Sequence, residues 1–256
     1  MSDDSRIRGH AASGEARLTA SERAILMRNA PYATRLDEAD RAELEALVRT
    51  FLDEKSFEGC GGLELTLEMR VTIAAQACRL LLHRQTAVYP DVDAILVYPS
   101  AYRPPSEENE DGIVVESEDE WIGESWTRGV VVLAWDEVEA TVTDPLDGQN
   151  VVLHEFAHQL DAEDGSMNGT PDLGTSDRVA SWARVLTAEF KELSRQLDAG
   201  RRSDIDAYGA TDPAEFFAVV TEMFFGKSRS IKRRHPALYE QLAAFYRQDP
   251  AGERGG

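Results

Sequence analysis

Cysteine is scarce in this chain. Cys60 and Cys78 are the only two in 256 residues, too few for a disulfide framework and not spaced as a metal-binding pair. Long apolar runs are also missing: nothing approaches the roughly 20 residues that a membrane-spanning helix needs. The opening Met1-Ser2-Asp3-Asp4-Ser5-Arg6 is acidic with no apolar segment behind it, unlike a secretory signal. These features lead us to expect a cytoplasmic protein with no membrane partner. Positive charge is short as well, with 27 Lys and Arg against 47 Asp and Glu and a formal net charge of −20. Such a surface repels a phosphate backbone, so nucleic acid is not an expected partner. The local exception, Lys227, Arg229, Lys232, Arg233 and Arg234, reads as a solvated helix end or turn.

Histidine is also sparse, with five residues, which makes the position of two of them informative. The segment Val151-Val152-Leu153-His154-Glu155-Phe156-Ala157-His158-Gln159-Leu160-Asp161 writes His-Glu-x-x-His inside an apolar, helix-compatible run. One helical turn separates His154 from His158, so both project from one face and can share a metal ion. Glu155, beside the first histidine, is placed to act as the base that deprotonates an attacking water. The apolar flanks bury the helix and set the ligands in a low-dielectric wall. Zinc and hydrolysis are the chemistry this pattern points to.

At 256 residues the chain can bury one substantial core, or a catalytic domain with a smaller helical companion. We divide it into a mobile leader (1–22), a helical region (23–90) and a catalytic domain (91–250). Ala39, Leu44, Leu47, Val48, Phe51 and Leu52 recur at helical spacing from Asp37 onward, and a second helix is expected from Thr66 to His83. The period then changes. Ala94-Ile95-Leu96-Val97-Tyr98, Gly112-Ile113-Val114-Val115 and Gly129 to Trp135 read as three strands, separated in part by the acidic loop Pro104 to Asp111. Asp147 or Asn150 is the expected cap of the metal helix, which Asp164-Gly165 ends. Later helices are expected at about Val179 to Leu197, Pro213 to Phe225 and Pro236 to Tyr246. Helices, strands, metal helix, helices is the order of an α+β fold, in which a small sheet backs the metal helix. The strand Val130 to Leu133 offers an edge along which a peptide could lie extended.

Catalytic zinc takes three protein ligands and a water, so one ligand must come from elsewhere. His10, His83 and His235 read as surface or packing residues. Asp161 is one turn beyond His158, too far along the axis to close a tetrahedron; it is expected to stand behind the ligands and orient a histidine or a neighbouring loop. Glu215 and Glu222 share a face of the Pro213 helix, two turns apart. Glu215 also matches a capping box with Asp212, and Glu222 matches a buried carboxylate that supports a ligand. Spacing does not separate them. Tyr208, in the loop that delivers the chain into this helix, could donate to a developing oxyanion or could be a packed loop tyrosine.

Taken together, Phe51-Leu52 with Gly61-Gly62-Leu63-Glu64, Ile73 to Cys78, Tyr98-Pro99, His154 to Asp161, Ile205-Asp206-Ala207-Tyr208 and Asp212-Pro213-Ala214-Glu215-Phe216-Phe217-Ala218-Val219 resemble one family over most of the chain. They are similar to the zinc peptidases of the Mlc titration factor A type, whose catalytic domain resembles that of anthrax lethal factor. The resemblance implies a zincin-like metallopeptidase domain holding Zn2+ through His154, His158 and Glu215, with Glu222 left in support. It implies a catalytic role for Tyr208 beside Glu155. It further implies aminopeptidase-like action on peptide or protein substrates and, since the founding member binds a glucose repressor, a transcriptional repressor of the Mlc type as a partner. The alternative is a regulator that uses the zinc fold to sequester a transcription factor, with little or no hydrolysis.

Overall fold

The computed structural model describes residues 17–100, 129–143 and 148–252. The leader up to residue 16, His10, the acidic loop, the expected strand Gly112 to Val115 and the alternative cap Asp147 lie outside them.

The first helix, α1 (Ala20–Asn29), starts at a reciprocal capping box: Thr19 Oγ1 accepts the Glu22 N–H at 3.2 Å, and Glu22 Oε2 accepts the Thr19 N–H at 2.7 Å. No individual helix is expected before Asp37 from the sequence, because this one has no amphipathic stripe. Helix α2 (Glu38–Glu54) is capped by Asp37 and buries Leu44, Val48, Phe51 and Leu52. Helix α3 (Leu67–Arg79), capped by Thr66, is buried over most of its length. The expected extension to His83 is corrected here. Residues 80–84 close turns, with Leu81 N–H to Cys78 and Arg84 N–H to Leu81, and His83 takes a positive φ of 64°.

Among the described residues, three strands form one parallel sheet in the order β1 (Ser56–Gly59), β2 (Ala94–Tyr98), β3 (Val130–Ala134), with Ser56 beside Ala94 and Ala94 beside Val130. β1 was not anticipated, since Ser-Phe-Glu-Gly carries no strand pattern and its extended form comes from pairing with β2. Among the described residues β3 is an edge strand, as expected, with Val131 and Leu133 buried and Val132 exposed. The chain turns directly from β3 into α4 (Trp135–Thr143), so Trp135 opens a helix rather than ending a strand.

The metal helix α5 (Val151–Asp161) is capped by Asn150 and followed by a 3-10 turn (Ala162–Asp164) that Gly165 ends with a φ of 88°. Helices α6 (Ser176–Asp198), α7 (Pro213–Gly226), α8 (Ser228–Arg234) and α9 (Pro236–Tyr246) complete the α+β fold. The basic run forms α8, where Lys232 meets Asp249 at 3.0 Å and Arg234 meets Asp204 at 3.3 Å. These pairs are solvated and contribute little to stability.

Two aromatic groups hold the metal helix and the helices around it. Fully buried Phe156 on its back face packs against Tyr89 at 4.6 Å and Phe51 at 5.6 Å, between ring centroids. Edge-to-face packing of Trp182 on Phe217 and Phe245 anchors α6 to α7 and α9. No helix among the described residues is long and apolar enough to cross a membrane.

Candidate metal centre

Two helices build the centre. On α5, Asn150 Oδ1 accepts the Leu153 N–H at 3.0 Å, which fixes the first turn and aims His154 and His158 to one side. On α7, Asp212 Oδ1 accepts the N–H groups of Ala214 and Glu215 at 2.8 and 2.9 Å. Glu215 therefore sits at the third position of a capped helix without completing a capping box, and its carboxylate is released toward α5. Cap and ligand candidate are reconciled: the backbone of Glu215 serves the helix and its side chain reaches the histidines.

His154 Nε2, His158 Nε2 and Glu215 Oε2 converge. The separations are 3.2 Å between the two nitrogens, 2.9 Å from Glu215 to His154 and 3.6 Å from Glu215 to His158. Tetrahedral zinc with bonds of about 2.0–2.1 Å separates its ligand atoms by about 3.3 Å, so the triangle fits such an ion. Two imidazoles and a carboxylate are also a donor set that suits zinc. Glu222 lies behind the first ligand candidate. Its Oε1 is 2.8 Å from His154 Nδ1, and its Oε2 accepts the Asn150 N–H. A carboxylate on Nδ1 fixes the tautomer whose Nε2 lone pair faces the centre.

The electrostatics call for positive charge at this point. Burial pulls the His154 imidazole down, but Glu215 and Glu222 outweigh it and hold it up at about 10. Burial lifts Glu215 and the facing histidines pull it further the other way, to about 2. Burial, with Glu215 and Glu222 adding to it against His154, pushes Glu155 up to about 8. A divalent cation held by these residues would supply the charge the carboxylates lack and would favour ionised Glu155.

Tyr208 joins the group from a 3-10 turn (Ala207–Ala210) whose start is fixed by Asp206 Oδ1 on the Tyr208 N–H at 2.9 Å. Its ring lies 5.9 Å from that of His154. Partial burial and then Glu215 push its hydroxyl up to about 12, so it is a donor at neutral pH. Asp161 engages the loop that follows its helix. It is fully buried, and Oδ2 accepts the Gly169 N–H at 2.7 Å. Of the two roles anticipated for it, the structure displays contact with a neighbouring loop. Burial, against hydrogen bonds from that loop, lifts its carboxyl to about 6. Gly169 was overlooked in sequence. Its φ is +75° and an added Cβ would lie 2.2 Å from the Pro213 oxygen, so the loop Asp161 holds is pressed on the start of α7, two residues before Glu215. Its only sequence signal is the dipeptide Asn168-Gly169, a common turn former.

Of the remaining histidines, His83 meets Asp40 at 2.8 Å, and His235 lies 2.8 Å from Glu189 and 3.3 Å from Asp204.

The sequence of the chain is similar to those of known proteins. The model of the glucose-regulated metallo-peptidase M90 family matches residues 5–247. The chain belongs to the M90 metallopeptidase family. It is 44% identical over 229 residues to an uncharacterized protein of Synechocystis sp., covering 89% of this chain and 83% of that one. It is also 34% identical to Mlc titration factor A of Serratia proteamaculans, over 86% of this chain and 84% of the relative. The same protein of Klebsiella pneumoniae is 34% identical over 88% and 85% respectively. M90 membership implies a metal, and the convergent donors of α5 and α7 are a place for it.

Proposed function

We propose that this M90 protein is a zinc-dependent peptidase with aminopeptidase-like action, in which His154, His158 and Glu215 hold the ion. The observation that carries the reading is the convergence of those three ligand atoms within 4.8 Å of one another, with Glu222 fixing His154 from behind. Zinc, when bound, supplies Lewis acidity that makes water nucleophilic near neutral pH and polarises the scissile carbonyl. Glu155 takes the proton from the attacking water and returns it to the leaving amine. Tyr208 donates its hydroxyl to the carbonyl oxygen as charge develops there. Asp161 holds the Gly169 loop on α7 and so keeps Glu215 in register with the histidines.

The relatives' name, Mlc titration factor A, supports a second reading in which the chain binds a repressor of the Mlc type. Capture of such a repressor by a hydrolytically dead chain would favour that reading without excluding the first.

The test is a panel of short peptides incubated with purified protein, with and without a chelator. Release of N-terminal residues that stops on chelation and returns with added zinc is expected. Hydrolysis that survives complete metal removal would contradict the proposal.

A further inference from the structure

A second group of side chains brings metal-binding atoms to one point, away from α5 and α7. We propose that Asp40, Glu43 and His83 form an independent site for a divalent transition-metal ion. Their ligand atoms all lie within 4.8 Å of one another, and all three residues are half-buried. Asp40 and Glu43 are three residues apart on α2 and share a face of that helix. His83 comes from the turn after α3 and brings Nε2 to 2.8 Å from Asp40 Oδ1.

The imidazole is held in the orientation that ligation needs. His83 Nδ1 is 3.0 Å from the Arg247 carbonyl oxygen, which can only accept, so Nδ1 carries a proton. Nε2 is then the nitrogen that faces the carboxylates and can ligate, the arrangement found behind metal-bound histidines. Its backbone is fixed just as firmly. The His83 N–H donates to Glu43 Oε1 at 2.8 Å, and the Arg247 guanidinium donates to the His83 carbonyl at 3.3 Å. Both residues of this clasp have positive φ, 64° for His83 and 55° for Arg247. Non-glycine residues adopt that region at a cost and keep it where the surroundings over-determine it. A lone surface ion pair needs none of this preparation.

The donor set narrows the ion. One imidazole with two carboxylates suits zinc, manganese, iron or nickel, and the nitrogen disfavours calcium and magnesium, which prefer oxygen throughout. Half-burial leaves a path for entry and room for water to complete the coordination shell. The two carboxylates gain a counter-charge in a chain of net charge −20. The bound ion would tie α2 and the turn after α3 to the end of α9, because His83 and Arg247 meet across 164 residues of sequence. Its expected effect is on stability and metal content, with no part in hydrolysis.

The test is metal counting by mass spectrometry after metal-stripped, full-length protein is dialysed against Zn2+. Two equivalents are expected for the wild type and one for His83→Gln. One is likewise expected for the double variant Asp40→Asn/Glu43→Gln, with far-UV circular dichroism confirming that each variant is folded. A His154→Gln/His158→Gln chain should lose the other equivalent and keep this one, and its melting temperature should still rise with added zinc. Wild-type zinc content in both His83→Gln and the carboxylate variant would overturn the proposal. So would a single wild-type equivalent that vanishes with His154→Gln/His158→Gln. If the second equivalent depends on His83 but none depends on His154 and His158, this site stands and the peptidase centre falls.

Discussion

Glu215 and Glu222 sit two turns apart on α7 and touch opposite edges of one imidazole, Glu215 at His154 Nε2 and Glu222 at Nδ1. That geometry assigns them different expected effects. Glu215→Gln should leave a chain that does not retain zinc through dialysis. Glu222→Gln should retain it with affinity reduced about 10- to 100-fold, the usual cost of removing a hydrogen-bond partner behind a ligand. Equal losses in competition titrations with a chromogenic chelator would count against this division. Tyr208→Phe removes only a donor, so kcat should fall about 100-fold with KM and zinc content little changed. A rise in KM at constant kcat would instead make Tyr208 a binding residue. The sequence placed both glutamates on one helix face but left their roles level without the family resemblance. The difference lies in which nitrogen each one meets, and that depends on how α7 crosses α5. Helical periodicity carries no record of that crossing.

At the scale of elements, legibility followed periodicity and capping. Helices α2, α3, α5, α6, α7 and α9 announced themselves through apolar spacing and cap residues. β1 and α1 did not, since the four residues of β1 become a strand only beside β2 and α1 has no apolar stripe. The contact between the Gly169 loop and α7 was equally silent, and it carries a prediction. Gly169→Ala puts a Cβ against the Pro213 carbonyl at a φ of +75°, which should cost about 1–3 kcal/mol and shift Glu215. Urea denaturation should show the lower midpoint, and zinc titration a weakened site; wild-type values for both would show that the loop does not position α7. The junction of α8 and α9 supplies a pH dependence. Glu189, against burial and with Asp204 assisting, raises the His235 pKa above its ordinary value of about 6.5. A pKa raised by folding gives a contribution fully present below about pH 6.5 and lost as pH rises through the folded value. His235→Gln should therefore flatten this part of the stability profile above pH 6.5, measured as urea midpoints from pH 6 to 9. An unchanged slope would exclude His235 as its source.

For the whole molecule, the arrangement explains why so few histidines suffice. A sheet and a buried aromatic cluster hold α5 from behind, α7 closes over its polar face, and the three donors meet where the two helices face each other. A net charge of −20 surrounds that point, and the centre itself holds Glu155, Glu215 and Glu222 close together, so a bound cation relieves repulsion at both scales. Composition argued against nucleic acid and membrane as expected partners, and the His-Glu-x-x-His run pointed to the candidate centre. What remained hidden was everything set by contacts between distant segments, from the tautomer of His154 to the clasp at His83. The central claim is that hydrolysis depends on Glu155 while the metal does not. Zinc content and peptide turnover measured side by side in wild type and Glu155→Gln test it most directly. The account predicts equal zinc and turnover reduced by at least about 100-fold, the contribution of a positioned general base. Turnover at the wild-type level in a fully zinc-loaded Glu155→Gln chain would contradict it.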